Sequence, residues 1–117
     1  PWRVGIRHPR RHGEMIAVTS LSNAAICTSG DYERRSETNH DEYHIVDPLS
    51  GRSPHAVTSA TVIAPSAMAA DALGTAVFVL GPTRGLRLLE ESGVEGMVVT
   101  SDLVRHETRG FPKVLAP

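Results

Sequence analysis

Hydrophobic and polar positions alternate along much of the first half of the chain, which is the pattern of β-strands. Polar turns separate the alternating or β-branched stretches, which are residues 2–7, 14–20, 24–28, 42–47 and 56–64. The last of these stretches is the richest in β-branched side chains and is predicted to be a central strand. Two further strands are expected near the C-terminus, at residues 94–100 and within residues 101–117.

After residue 64 the pattern changes to the spacing of a helix. Residues 65–81 begin with Pro65 and with Ser66, whose hydroxyl can accept hydrogen bonds from free backbone N–H groups. Alanine and other good helix formers follow, and Gly81 ends the segment. Almost every position inside it is small or apolar, so we expect this helix to be nearly all buried.

Residues 82–92 predict a second, amphipathic helix, with leucines on one side and Arg and Glu on the other. Gly93 is expected to end it. Several strands, two adjacent helices and a further strand indicate an α+β fold, in which a mostly antiparallel sheet packs with two helices. No repeat or composition shift divides the chain, which predicts a single domain over residues 1–117.

One carboxylate, Asp71, and one hydroxyl, Thr75, interrupt the apolar helix of residues 65–81. Positions i and i+4 lie on the same helix face, so their oxygen atoms point the same way. Oxygen ligands of this kind suit Mg2+, which completes its shell with phosphate oxygens and water. The structural alternative is that Asp71 accepts bonds from backbone N–H groups while Thr75 bonds back to its own helix.

The composition excludes several classes of function. The formal net charge is −1, which gives no electrostatic basis for binding nucleic acid or an anionic membrane surface. No apolar run is long enough to span a bilayer. The single cysteine, Cys27, rules out an internal disulfide and is expected to be a small core residue. The chain opens with Pro1 and not with Met, so any targeting signal or membrane anchor is expected upstream.

Two other places hold groups that can do chemistry. Ser29 lies in a short polar turn predicted over residues 29–31, where a hydroxyl and exposed backbone N–H groups could bind a phosphate. His44 lies on the predicted strand 42–47. It is either a half-buried histidine bonded to the backbone or a proton acceptor at the rim of a cleft. The spacing of the other histidines does not favour zinc, because neither H-x3-H pair looks helical.

Four segments, in this order and spacing, resemble the C-terminal part of the FAD:protein FMN transferase (ApbE) family. They are P-W-R-V-G-I at residues 1–6, T-S-G-D-Y-E-R at 28–34, Y-H-I-V-D-P-L-S-G at 43–51 and A-P-S-A-M-A-A-D-A-L-G-T-A-V-F-V-L-G at 64–81. The resemblance implies the C-terminal portion of an ApbE-like (T-fold-like) domain, with FAD in a cleft and Mg2+ at its diphosphate. It also implies the reaction, in which a threonine hydroxyl of a target flavoprotein takes FMN from FAD and AMP is released.

The resemblance also assigns roles to individual residues. Asp71 and Thr75 match the family's metal-binding Asp and Thr, and His44 matches the histidine of an H-I-I-D-P motif beside the reacting phosphates. We assign His44 to accept the proton of the incoming hydroxyl or to orient it. Ile45 matches a residue that lines the flavin nucleotide site. Ser29, which the polar turn and not the resemblance points to, is the expected phosphate contact of the nucleotide.

Two departures from the family pattern bear on these expectations. Gly74 stands where many members carry Ser or Ala, which should loosen the helix by about 0.5–1 kcal/mol relative to Ala. The family's N-terminal half, which carries many of the FAD contacts, is absent from this sequence. The alternative is therefore a non-catalytic fragment that binds FAD or serves only as structure. The resemblance indicates either the bacterial cell envelope or the cytoplasm.

Overall fold

The computed structural model describes residues 2–31, 45, 48–49 and 56–112. The strands and helices in these ranges are β1 (Trp2–Arg7), β2 (Met15–Leu21), β3 (Ala25–Gly30), β4 (Val57–Ala64), α1 (Ala67–Leu80), α2 (Pro82–Glu91), β5 (Glu95–Thr100) and β6 (Arg105–Glu107). The α+β class and its antiparallel pairing are confirmed. The strand predicted over residues 42–47 lies, apart from Ile45, outside the described residues.

The described strands form two antiparallel sheets. β1 and β2 make a two-stranded hairpin, while the other strands form a sheet in the order β3-β4-β5-β6. The chain leaves the hairpin through Asn23, whose φ of 53° lies in the left-handed region that asparagine tolerates better than most residues. Asn23 therefore lies in the short connection between β2 and β3, which are close in sequence but belong to different sheets.

β4 is an inner strand of the larger sheet, as its β-branched composition predicts. All of its residues, Val57–Ala64, are buried. Ala60, Val62 and Ala64 contribute to a hydrophobic core on one face of the sheet, together with apolar residues of α1 and α2. Ile63 belongs to a second core on the opposite face. A strand covered on both faces has no room for the polar alternation of a surface strand.

The second core joins the hairpin to the sheet. Ile6 of β1 packs with Ile63, Met97, Val99 and Phe111 in this cluster. The molecule therefore has three layers, which are the two helices, the four-stranded sheet and the β1–β2 hairpin.

α1 begins as the sequence predicts, because Ser66 Oγ accepts a hydrogen bond from the Ala69 backbone N–H at 3.1 Å. The expectation that this helix is nearly all buried is wrong. Ala70, Gly74, Val77 and Phe78 are buried, whereas Met68 and other residues on the opposite side are exposed. Alanine occurs on both sides of the helix, so the sequence pattern shows little contrast between them.

The two helices are joined at Gly81, which ends α1 and precedes Pro82 at the start of α2. Its φ of 89° lies in the region that favours glycine, so the chain can change direction within a single residue. α2 then packs closely on α1, because a Cβ atom at Gly85 would lie 2.8 Å from Cγ1 of Val77. The second helix is amphipathic as predicted, with Leu89 buried.

Candidate functional site

Asp71 and Thr75 lie on the exposed side of α1, one turn apart. Within the part of the chain that the structure describes, the exposed Asp71 carboxylate takes no hydrogen bond or ion pair. The Thr75 hydroxyl donates to the backbone carbonyl of Asp71 at 3.3 Å, which is the local bond of the structural alternative. The first half of that alternative, a carboxylate satisfied by backbone N–H groups, is not seen among the described residues.

β3 runs beside α1 and presents Cys27 and Ser29 to it. These two residues are two positions apart and so share one face of the strand. The Cys27 thiol donates a weak hydrogen bond to the Ala67 carbonyl at 3.7 Å. Further along the helix, a Cβ atom at Gly74 would lie 3.3 Å from Ser29 Oγ. The absence of a side chain at residue 74 is therefore what allows β3 and α1 to approach here.

The Asp71 carboxylate affects the pKa of the Cys27 thiol. Burial raises the pKa of the Cys27 thiol above its ordinary value, and the Asp71 carboxylate raises it further. Asp71 follows Ala67 by one turn of α1, and the Ala67 carbonyl accepts the hydrogen bond of the Cys27 thiol. The expectation that Cys27 is a small core residue is incomplete, since the residue is partly exposed and the Asp71 charge acts on its thiol.

The polar turn predicted over residues 29–31 is wrong in part. Ser29 and Gly30 continue β3, where Ser29 pairs with Ala60 and Gly30 pairs with Ser59. Ser29 is 9% exposed, so its hydroxyl is held beneath α1 and does not lie in an open loop. Only Asp31 follows the strand. Pairing with β4 outweighs the local preference of Ser-Gly-Asp for a turn, because the sheet satisfies the backbone groups.

Ile45 is buried in the core between the sheet and the helices, where it clusters with residues such as Val57 and Phe78. Its role as a flavin contact stays a prediction. His44, the proposed proton acceptor, lies outside the described residues.

An ion pair that the sequence did not indicate lies at the end of β3. Arg10 of the β1–β2 turn donates two hydrogen bonds to the Asp31 carboxylate, each at 2.6 Å. The two residues are 21 positions apart, so no local pattern links them. The signal in the sequence is that Asp31 belongs to the T-S-G-D-Y-E-R segment, residues 28–34, which carries part of the resemblance.

Comparison with known proteins decides the family. The model of the ApbE family matches residues 1–98 of this chain. The chain belongs to the ApbE family.

Curated relatives of this ApbE chain are named FAD:protein FMN transferase. The protein from Treponema pallidum is 42% identical over 105 residues, which cover 86% of this chain and 29% of the relative. The protein from Escherichia coli K12 is 35% identical, over 87% of this chain and 30% of the relative. The chain thus spans about a third of the length of these relatives.

Solved ApbE structures share the fold. The crystal structure of the ApbE protein from Thermotoga maritima superposes with a TM-score of 0.85 at 33% identity, covering 93% of this chain and 36% of that one. The flavin transferase ApbE from Vibrio cholerae superposes with a TM-score of 0.73 at 30% identity, covering 95% and 37%. The layered arrangement described above is therefore the ApbE fold over this part of its length.

The oxygen atoms of Asp71 and Thr75 fit a hard cation in chemistry and in number. The described residues contain no group of three or more His, Cys, Asp or Glu side chains that could enclose a metal. Such an enclosing set is typical of zinc, whereas Mg2+ commonly takes one or two protein oxygens and draws its other ligands from phosphate and water.

No helix within residues 2–31 and 56–112 is long and apolar enough to cross a membrane.

Proposed function

We propose that this chain provides the metal- and diphosphate-binding part of an Mg2+-dependent FAD:protein FMN transferase. The enzyme moves FMN from FAD to a threonine hydroxyl of a target flavoprotein and releases AMP. One observation carries the proposal: Asp71 and Thr75 lie one turn apart on the exposed side of a helix whose other side is packed in the core. The names of the curated relatives support it.

Each residue has a distinct part in this proposal. Asp71 and Thr75 hold Mg2+, which when bound neutralises charge on the diphosphate of FAD. Ser29 and Ile45 contact the flavin nucleotide. Phosphoryl-type transfer asks a protein mainly for positioning and for neutralisation of charge, and a packed helix is a rigid platform for both.

The proposed transfer forms one bond to phosphorus, breaks another and needs one proton acceptor. The threonine oxygen bonds to the phosphorus on the FMN side of FAD, and the bond from that phosphorus to the bridging oxygen breaks. AMP leaves with the bridging oxygen and the electron pair. His44 takes the proton of the threonine hydroxyl, or orients that hydroxyl for attack.

The Asp71→Ala variant tests the metal assignment. We expect loss of Mg2+-dependent FAD binding and a fall in FMN transfer of about 100-fold or more, because the charge-neutralising ion is no longer held. Covalent flavin fluorescence on a gel measures transfer, and titration with Mg2+ measures binding. Glu91→Ala, which removes an exposed carboxylate from α2, is the matched control and should change neither quantity. Unchanged Mg2+ dependence in a folded Asp71→Ala protein contradicts the assignment.

The His44→Ala variant tests the proton acceptor. Transfer should slow by about 100- to 10,000-fold, the usual contribution of a general base, while Mg2+-dependent binding of FAD is retained. Stopped assays of transfer to a flavin-accepting domain, run over a range of pH, measure the effect. Wild-type turnover in this variant would remove His44 from the mechanism.

A second reading is a non-catalytic piece that binds FAD or serves as structure. It is favoured by the fact that the chain spans about a third of its curated relatives. Mixing residues 1–117, and a version extended at the N-terminus, with FAD, Mg2+ and an acceptor domain separates the two readings. Transfer by the extended version alone assigns residues 1–117 to one part of the site.

A further inference from the structure

A bidentate ion pair joins the turn of the β1–β2 hairpin to the C-terminal end of β3. Arg10 donates from Nη1 to Oδ1 of Asp31 and from Nη2 to Oδ2, both at 2.6 Å. The Asp31 side chain is 7% exposed and the Arg10 side chain is 40% exposed. Two parallel N–H···O bonds fix the orientation of a carboxylate as well as its distance. The end of β3 is therefore held in a defined place against the hairpin.

Both partners are anchored by their own surroundings. The backbone N–H groups of Arg10 and Arg11 donate to His8 Nδ1 at 3.1 and 3.0 Å, and Nη1 of Arg10 also donates to the Pro9 carbonyl at 3.1 Å. On the other side, the Asp31 backbone N–H donates to the Thr58 carbonyl of β4 at 3.1 Å. Because both residues are also held by other hydrogen bonds, the ion pair fixes the end of β3 relative to the hairpin turn.

We infer that Arg10 and Asp31 are positioning residues, which hold Ser29 against α1 so that its hydroxyl can bind the diphosphate of a flavin nucleotide. This inference rests on the proposed function. Ser29 is the last residue but one of β3 and lies two residues before Asp31, and its Oγ lies 3.3 Å from the position that a Cβ atom at Gly74 would take. Displacement of the strand end by about 1 Å would lengthen the hydrogen bond from this hydroxyl to the diphosphate and so weaken binding of the nucleotide.

The neighbouring residue of the same turn offers a matched control. Arg11 lies 3.8 Å from Glu14, and their side chains are 65% and 59% exposed. Exposed pairs of this kind contribute little to stability, whereas the two parallel hydrogen bonds of a guanidinium to a buried carboxylate cannot be reproduced by an ammonium group. Arg11→Lys and Arg10→Lys remove the same guanidinium group from adjacent positions. Only Arg10→Lys removes it from a buried carboxylate.

The experiment uses the complete polypeptide with FAD, Mg2+ and an acceptor domain. In Arg10→Lys we expect the KM for FAD to rise about 10-fold while kcat changes by less than about 2-fold, since the loss is one of substrate positioning. Arg11→Lys should leave both unchanged, and the charge exchange of Arg10→Asp with Asp31→Arg should restore part of the KM. Amide hydrogen exchange at Gly30 and Asp31 should quicken in Arg10→Lys, with no change at residues 25–27.

A double-mutant cycle with Ser29→Ala tests whether the effect passes through Ser29. If Arg10→Lys raises the KM equally in the Ser29→Ala protein, or leaves the KM unchanged in the wild-type background, the inference is overturned. If exchange quickens but the wild-type protein transfers no FMN, the proposed function fails and the diphosphate role fails with it. If the wild-type protein transfers FMN but exchange at Gly30 and Asp31 does not quicken, only the positioning role is lost.

Discussion

At the scale of single residues, the hydroxyl groups inside the sheet differ in whether they have a hydrogen-bond partner among the described residues. The hydroxyls of Thr28 and Thr61 lie 2.9 Å apart and share a hydrogen bond across β3 and β4. Ser59, two positions from Thr61, has a buried Oγ without a hydrogen-bond partner within the described part of the chain. A buried hydroxyl that has lost its water and gained no partner destabilises the folded state.

Ser59→Ala should therefore stabilise the protein by about 1 kcal/mol, because it removes the unsatisfied group and leaves the packing nearly unchanged. Urea denaturation followed by circular dichroism measures the free energy of unfolding. Thr61→Val, which removes one partner of a hydrogen bond that is made, should have the opposite sign. A loss of stability in Ser59→Ala would mean that this hydroxyl has a partner in solution.

The reactivity of Cys27 should depend on Asp71. The carboxylate raises the pKa of the thiol, so Asp71→Asn should lower that pKa toward its ordinary value. The thiolate is the reactive form, and its fraction at a given pH rises as the pKa falls. We expect faster alkylation of Asp71→Asn than of the wild type near pH 8, in the presence of EDTA. Cys27 is the single cysteine, so the rate of iodoacetamide labelling reports it directly. Identical pH profiles would place the two groups apart.

At the scale of secondary-structure elements, the glycine of α1 has a use that offsets its cost. The sequence predicts that Gly74 weakens the helix, and in the structure it is where α1 approaches β3. An alanine there gains helix propensity but places its Cβ 3.3 Å from Ser29 Oγ. These two effects on stability oppose each other, so the net change in the free energy of unfolding depends on Ser29, which faces Gly74.

Gly74→Ala should accordingly be more favourable in a Ser29→Ala background than in the wild type. With the hydroxyl removed, we expect the gain of about 0.5–1 kcal/mol that alanine has over glycine in a helix. In the wild type the close contact should cancel part of this gain. Unfolding free energies of the four proteins of the cycle give the coupling. Equal effects in both backgrounds would show that Ser29 does not limit the approach of the helix.

At the scale of the whole molecule, the layers meet where side chains are missing. A Cβ atom at Gly96 of β5 would contact Leu89 of α2 and would lie 2.8 Å from the backbone carbonyl oxygen of Thr61. That oxygen belongs to β4, the strand paired with β5, so it cannot move without disturbing the sheet. The packing of α2 on the sheet thus depends on a glycine at this point.

Gly96→Ala should destabilise the protein by about 1–3 kcal/mol, the usual cost of overpacking a core. Gly5→Ala is the matched control, since the atoms nearest to a Cβ at that position belong to the side chain of Met15, which is 53% exposed and can rotate away. Thermal unfolding of the two variants under the same conditions measures the difference. Similar midpoints would contradict the close packing of α2 on β5.

The candidate site shows how far local patterns reach. The i, i+4 placement of Asp71 and Thr75 is a property of any helix, and the start of α1 at Ser66 follows from a local hydrogen bond, so both could be predicted. The extent to which this helix is buried could not be predicted, because alanine occurs on both its buried and its exposed side. Nor could the strand conformation of Ser29, since its local preference is for a turn.

The sequence by itself predicted most of the described elements, their antiparallel class and the resemblance to one family, because hydrophobic periodicity and short motifs are properties of local segments of the chain. Only the tertiary structure decided that the hairpin is a separate layer, that Arg10 meets Asp31, and that Cys27 lies against the start of α1. Those outcomes depend on contacts between distant segments, whose free energy exceeds the local preferences of the residues that make them.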